Sequence, residues 1–186
     1  MHLREIKKSG REEDFFKIDK RDKPPVMGRL ESLLKKEEIP YRVIPHREVF
    51  TSLEVAESIH ISGRKVVKVV IVGREGENLM LVLPSHRRVD LVHFGEMFGE
   101  GPLSLLEGME VEKQFPDCEA GAIPPFGNFY DIPVYVDSLL ARESVIFFKA
   151  GSHREVVEMR YQDFLYLVQP IVSHFVQEPF RKVSGF

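Results

Sequence analysis

The chain has 186 residues and a formal charge of −3, from 26 Lys and Arg against 29 Asp and Glu, which excludes a nonspecific nucleic-acid coat and leaves a local basic patch open. Hydrophobic residues make up 43%, which excludes a disordered chain and fits one domain plus an extension. Cys118 is the single cysteine, so no intrachain disulfide forms, and no stretch reads as a signal-peptide core or a membrane span; the expectation is a cytoplasmic protein with no membrane partner.

Residues 1–26 mix charges of both signs and stop at Pro24-Pro25, which predicts a charged arm with a short helix around Phe15 and Phe16. A compact domain is expected over residues 27–176, with a tail at 177–186. Met27, Leu30, Leu33 and Leu34 share one helical stripe, "YRVIP" reads as a strand, and Thr51 or Ser52 caps a helix "LEVAESIH". "VVKVVIVG", residues 66–73, reads as a strand joined to "NLMLVLP" by a short loop containing Gly76, which makes a hairpin. "VDLVHFGEMF" predicts a helix ending at Gly99, and "MEVEKQF" a short one before Pro116. After "GAIPPFG" come strands "IPVYVD", "VIFFKAG" and "EVVEMR", then an amphipathic "YQDFLYLVQPIVSHF" that Pro170 kinks or divides into two helices. Strands partly in hairpins and partly between helices predict a mixed α/β fold, a mixed sheet with flanking helices.

Three stretches stand out. In the 66–73 strand Val66, Val70 and Val72 share a face with Lys68, while Val67, Val69 and Ile71 take the other, so both faces are covered. Full burial of a charged lysine costs roughly 4–7 kcal/mol, against a typical domain stability of about 5–15. Either the Lys68 ammonium reaches water, or the fold carries that cost for a use.

In "GAIPPFG", Pro124 and Pro125 donate no backbone hydrogen bonds and stiffen their neighbours, while Gly121 and Gly127 bracket them with positions that tolerate positive φ or close approach. Such a segment is a preorganised wall that recognises a ligand through its backbone, or more plainly a tight crossover. Phe126 is a base-stacking platform or, by default, a core residue. "AGSHRE" places Gly151, Ser152 and His153 at a turn between strands.

In this order, "IPHREVFTSLEVAESIHISGRKVVKVVIV", "LMLVLPSHRRVDL", "FPDCEAGAIPPFG", "IPVYVDSLL", "AGSH" and "YQDFLYLVQP" resemble the YbaK/ProX superfamily of aminoacyl-tRNA deacylases, which includes the editing insertion domain of bacterial prolyl-tRNA synthetases. The resemblance covers residues 28–175, and "GAIPPFG" departs from the Gly-Gly-Ser-Pro version of some members. It implies a curved, barrel-like mixed sheet and a trans-editing hydrolase that deacylates mischarged aminoacyl-tRNA at its acceptor end, with a synthetase as a further partner. It implies Lys68 as the catalytic lysine, and a substrate pocket from Gly121, Ala122, Ile123, Pro124, Pro125, Phe126 and Gly127, with Gly151, Ser152, His153, His46 and Thr51. The attacking group it implies is a water placed by the loop backbone and a ribose hydroxyl, with no cofactor and no side-chain triad.

Other chemistries find less support. Cys118 lies between Asp117 and Glu119, which raise a thiol pKa and disfavour a nucleophile with His153 as base. The histidines show no close metal-ligand spacing, and no metal is expected. "GREGEN" and "FGEMFGEG" lack the Lys-Ser/Thr of a phosphate loop. Two alternatives remain open: a noncatalytic module that binds a tRNA end or a protein, with Lys68 anchoring phosphate beside Arg64, Lys65, Arg87 and Arg88, and a role for Lys68 as an edge-strand guard against aggregation.

Overall fold

The computed structural model describes residues 23–97 and 103–177. The helix expected around Phe15 and the helix end expected at Gly99 lie outside these residues, as do most of the arm and tail.

Helix α1 spans Pro25–Lys36 and starts on a proline, whose fixed φ suits the first helical position and whose missing N–H is no loss there. Val26, Met27, Leu30 and Leu34 form its buried stripe, and Lys35 and Lys36 close its last turn, where positive charge suits the helix dipole. Strand β1, Tyr41–Pro45, follows. Helix α2, Ser52–Ser58, is capped by Thr51, whose side chain accepts from the Glu54 amide while the Glu54 carboxylate accepts from the Thr51 amide.

Strands β2, Val67–Arg74, and β3, Glu77–Pro84, form the expected hairpin. Its two-residue turn uses positive φ at Glu75 and Gly76, which matches the right-handed twist of the strands. Then come α3 (Leu91–Met97), β4 (Leu103–Leu105), α4 (Met109–Gln114), β5 (Val134–Asp137), β6 (Val145–Lys149), β7 (Glu155–Arg160), α5 (Tyr161–Val168) and β8 (Ile171–Ser173). β4 was not expected. Pro170 neither kinks nor divides a helix: α5 ends at Val168, Gln169 turns the chain with φ of 50°, and the residues after Pro170 enter β8.

The architecture is mixed α/β. One sheet has the order β1-β7-β6 and is antiparallel; the other has the order β4-β2-β3-β5-β8, with parallel pairing from β3 to β5 and from β5 to β8. A bridge between Val66 and Phe147 joins the two sheets, which do not close into a barrel by continuous pairing. β2 is covered on both faces, as apolar residues on both of them require. Val67 and Ile71 join Met80, Val82, Phe126, Phe148 and Met27, Leu30 and Leu34 of α1 in the main core. Val72 joins Leu81, Leu83, Phe94, Tyr135 and Phe175 in a second core on the other face. Each such side chain, fully buried, contributes roughly 1.5–3 kcal/mol. No helix among the described residues is long and apolar enough to cross a membrane.

Candidate functional site

A gap in the pairing of β2 places the site. On one side β2 runs against β3 for its whole length. On the other, β4 pairs only Val72, Gly73 and Arg74, and Phe147 bridges only Val66. Between these two contacts Val69, Val70 and Ile71 border a cavity of about 320 Å³. Val111, Phe115, Cys118 and Ile123 make its wall apolar, and Glu107, Glu112, Glu119, Ala120 and Gly121 complete its border.

The structure brings two of the predicted segments together here. The Gly151 amide donates to the Ala122 carbonyl at 2.7 Å, and the Glu119 amide donates to the Gly151 carbonyl at 2.9 Å. The backbone amide of His153 donates to the Glu119 carboxylate at 2.8 Å, and its ring Nε2 lies 2.8 Å from the Ala120 carbonyl. The two loop glycines differ in purpose. Gly121 has φ of +79°, a left-handed conformation; at Gly127 a Cβ would meet the Ile132 carbonyl and lie 2.6 Å from Val134 Cγ2.

Lys149, at the end of β6, lies behind this turn and is 5% exposed. Its amine donates to the carbonyls of Val49 (3.3 Å) and Phe50 and to His153 Nδ1 at 3.0 Å. Burial holds its pKa down to about 8, against the carboxylates of Glu54 and Glu119, which favour the charged form. The Phe50 ring is exposed and packs 4.9 Å from the His153 ring, centroid to centroid.

A family model described as the aminoacyl-tRNA editing domain matches residues 46–167, more than half of the chain. The chain belongs to this family. No curated protein matches it. Among solved structures it is similar to a candidate trans-editing enzyme for prolyl-tRNA synthetase, at 20% identity and a TM-score of 0.71, covering 83% of this chain and 98% of that one. It is also similar to the hypothetical protein APE2540, at 20% identity and a TM-score of 0.73, covering 80% of this chain and 99% of that one. A candidate signal transduction protein from Marinobacter aquaeolei matches at 16% identity and a TM-score of 0.62, covering 81% of this chain and 31% of that one. At such identities the likeness speaks for the fold.

The editing domain does not bring Lys68 into this cavity. In the β2–β3 register Lys68 opposes Leu83, Val70 opposes Leu81 and Val72 opposes Leu79, so all share the face of the second core. Phe126 and Ile123 of the 121–127 loop pack with the main core on the opposite face. The Lys68 amine instead donates to the Arg87 carbonyl, and burial, helped by Arg88, lowers its pKa. Lys68 is half-buried and in neither bulk water nor the cavity.

Of the loop, Gly121 and Ile123 line the cavity, whereas Ala122, Pro124, Pro125, Phe126 and Gly127 are buried. Phe126, 0% exposed, stacks on Phe129 and is no platform for a base. Ser152 accepts from the Arg154 amide, and Thr51 caps α2; neither borders the cavity. His46 is buried, its Nδ1 donates to the Arg47 carbonyl at 2.6 Å, and burial, with Lys149 and His153 nearby, lowers its pKa.

Two features of the editing domain escaped the sequence. Lys149 is one, hidden at the end of an aromatic strand. The other is a polar cluster behind the cavity wall. Tyr130 Oη donates to Asp117 at 2.8 Å and lies 3.3 Å from Cys118 Sγ. Arg29 donates to the other Asp117 oxygen at 3.0 Å and lies over the Phe129 and Tyr130 rings. Burial, reinforced by Asp117, pushes the Cys118 thiol up to about 12, so it is a neutral wall group and not a thiolate.

Proposed function

We propose that this editing domain hydrolyses the ester of mischarged aminoacyl-tRNA, with the aminoacyl side chain in the cavity and the ester at the Ala120–Gly121 border. The observation that carries the reading is the cavity itself, an apolar hollow at an unpaired strand edge bordered by Ala120 and Gly121. The Gly121 amide donates in none of the backbone hydrogen bonds among the described residues, so it is available to a charge developing on the ester oxygen. Water oxygen adds to the ester carbonyl, and the bond to the terminal ribose oxygen then breaks. That oxygen takes one proton to become a hydroxyl, and the amino acid leaves as a carboxylate with the second proton released. A neutral, hydrogen-bonded Cys118 supports a mechanism without a thiol nucleophile. Lys68, half-buried with its amine on the Arg87 carbonyl and not among the residues that border the cavity, is assigned to the acceptor-end phosphates and not to the ester.

The same placement of Lys68 favours a second reading, a noncatalytic module that grips a tRNA end. Single-turnover hydrolysis with a panel of mischarged tRNAs, beginning with alanyl-tRNA(Pro) and cysteinyl-tRNA(Pro), separates the two. Release of an amino acid from any of them supports the hydrolase; binding across the panel with no release supports the module.

A further inference from the structure

The buried ammonium of Lys149 has no place in the chemistry above, yet its surroundings are fully specified. It donates to the Val49 and Phe50 carbonyls, which leaves one hydrogen, directed at His153 Nδ1 3.0 Å away. An ammonium has no lone pair, so Nδ1 must accept. The other ring nitrogen, Nε2, lies 2.8 Å from the Ala120 carbonyl, which also only accepts, so Nε2 carries the proton. Two independent partners thus demand one and the same tautomer.

We propose that Lys149 is a positioning residue: it fixes His153 as the Nε2–H tautomer, which holds the Ala120 carbonyl and thereby aims the Gly121 amide. The inference rests on the hydrolase reading and deepens it by naming what sets the donor. The link from His153 to the cavity is one peptide plane. The Ala120 carbonyl and the Gly121 N–H belong to the same trans unit and point in opposite directions, so a carbonyl held on His153 turns the amide away from it. A hydrogen bond accepted by that carbonyl also polarises the N–H across the plane, which strengthens it as a donor. The remaining contacts keep the device rigid. The His153 amide is held by Glu119, and a Cβ at Gly121 would lie 3.9 Å from His153 Cε1, in ordinary contact.

The experiment begins on the full chain without tRNA. Nitrogen-15 NMR of the imidazole rings at neutral pH is expected to show His153 with a protonated Nε2 and a bare Nδ1. An Nδ1–H tautomer in the wild type overturns the proposal, whatever any variant does. Lys149→Met is then expected to lose the single tautomer and to slow single-turnover deacylation about tenfold to a hundredfold, with tRNA affinity unchanged. Lys149→Gln, which retains N–H donors, is expected to restore part of both; it also serves if the Met variant does not fold. A folded variant that keeps the wild-type rate overturns the proposal. Lack of turnover by the wild type on every tRNA strikes at the hydrolase reading and leaves the tautomer result standing, so the two failures are told apart.

Discussion

The Gly151 amide reaches the Ala122 carbonyl at 2.7 Å and ties the β6–β7 turn to the double-proline loop. Only glycine suits the position. Its φ is +91°, and a Cβ there would lie 2.5 Å from Val26 Cγ1 and 2.7 Å from Pro24 Cβ. Gly151→Ala is expected to destabilise the protein by about 2 kcal/mol or more through strain and overpacking. Urea unfolding checks this, and an unchanged midpoint would mean that α1 gives way freely.

Cys118 is expected to be dispensable for chemistry. Cys118→Ser should retain deacylation, and the native thiol should react slowly with iodoacetamide at about pH 8, since burial and Asp117 keep it protonated. Abolished turnover in the serine variant, with its fold intact by circular dichroism, would restore the nucleophile reading.

Lys149 makes stability depend on pH with a definite sign. Its folded value is about 8, below the ordinary 10.5, so the unfolded chain holds more protons between those limits. The burden of the charged amine is therefore fully present below about pH 8 and is relieved as pH rises toward 10.5. Glu54, Glu119, His46 and His153 are the titratable groups that face it. The wild type should gain stability across that window relative to Lys149→Met, as read by denaturant midpoints at several pH values. Parallel profiles for the two proteins would contradict the assignment.

Lys68→Ala separates phosphate contact from catalysis. Bonded to the Arg87 carbonyl and not among the residues that border the cavity, Lys68 is expected to affect tRNA binding and its salt dependence, reducing the slope of log K against log salt by about one. The single-turnover rate at saturating enzyme should not change. A collapse of that rate would bring the amine back to the ester.

Local pattern made most elements legible and left most of the site obscure. The β2–β3 hairpin and "EVVEMR" carry short apolar runs rich in β-branched residues, "YRVIP" reads as a short strand, and the Thr51–Glu54 capping box is a local signal. β8 is different. Ile171 and Val172 are exposed and gain their strand character from parallel pairing with β5, a contact that no nearby residue announces. The alternation of β2 told which residues share a face with Lys68, but which face meets the 121–127 loop is a property of the packed cores. Lys149 is the extreme case. Its burial is set by carbonyls 99 and 100 residues earlier in the chain, and a strand-end lysine reads as solvated until that loop is in place.

The bridge between Val66 and Phe147, which among the described residues alone pairs the two sheets, has a dynamic consequence. Interior ladders exchange their amide hydrogens only in large, rare openings, whereas a seam whose backbone pairing is a single bridge yields to smaller ones. The Phe147 amide, bonded to the Lys65 carbonyl at 2.9 Å, is expected to exchange faster than the Val82 amide in the middle of β3. Parting of that seam would separate the β6 end that carries Lys149 from the strand that borders the cavity, so the easiest opening between the two sheets and access to the hollow become a single motion.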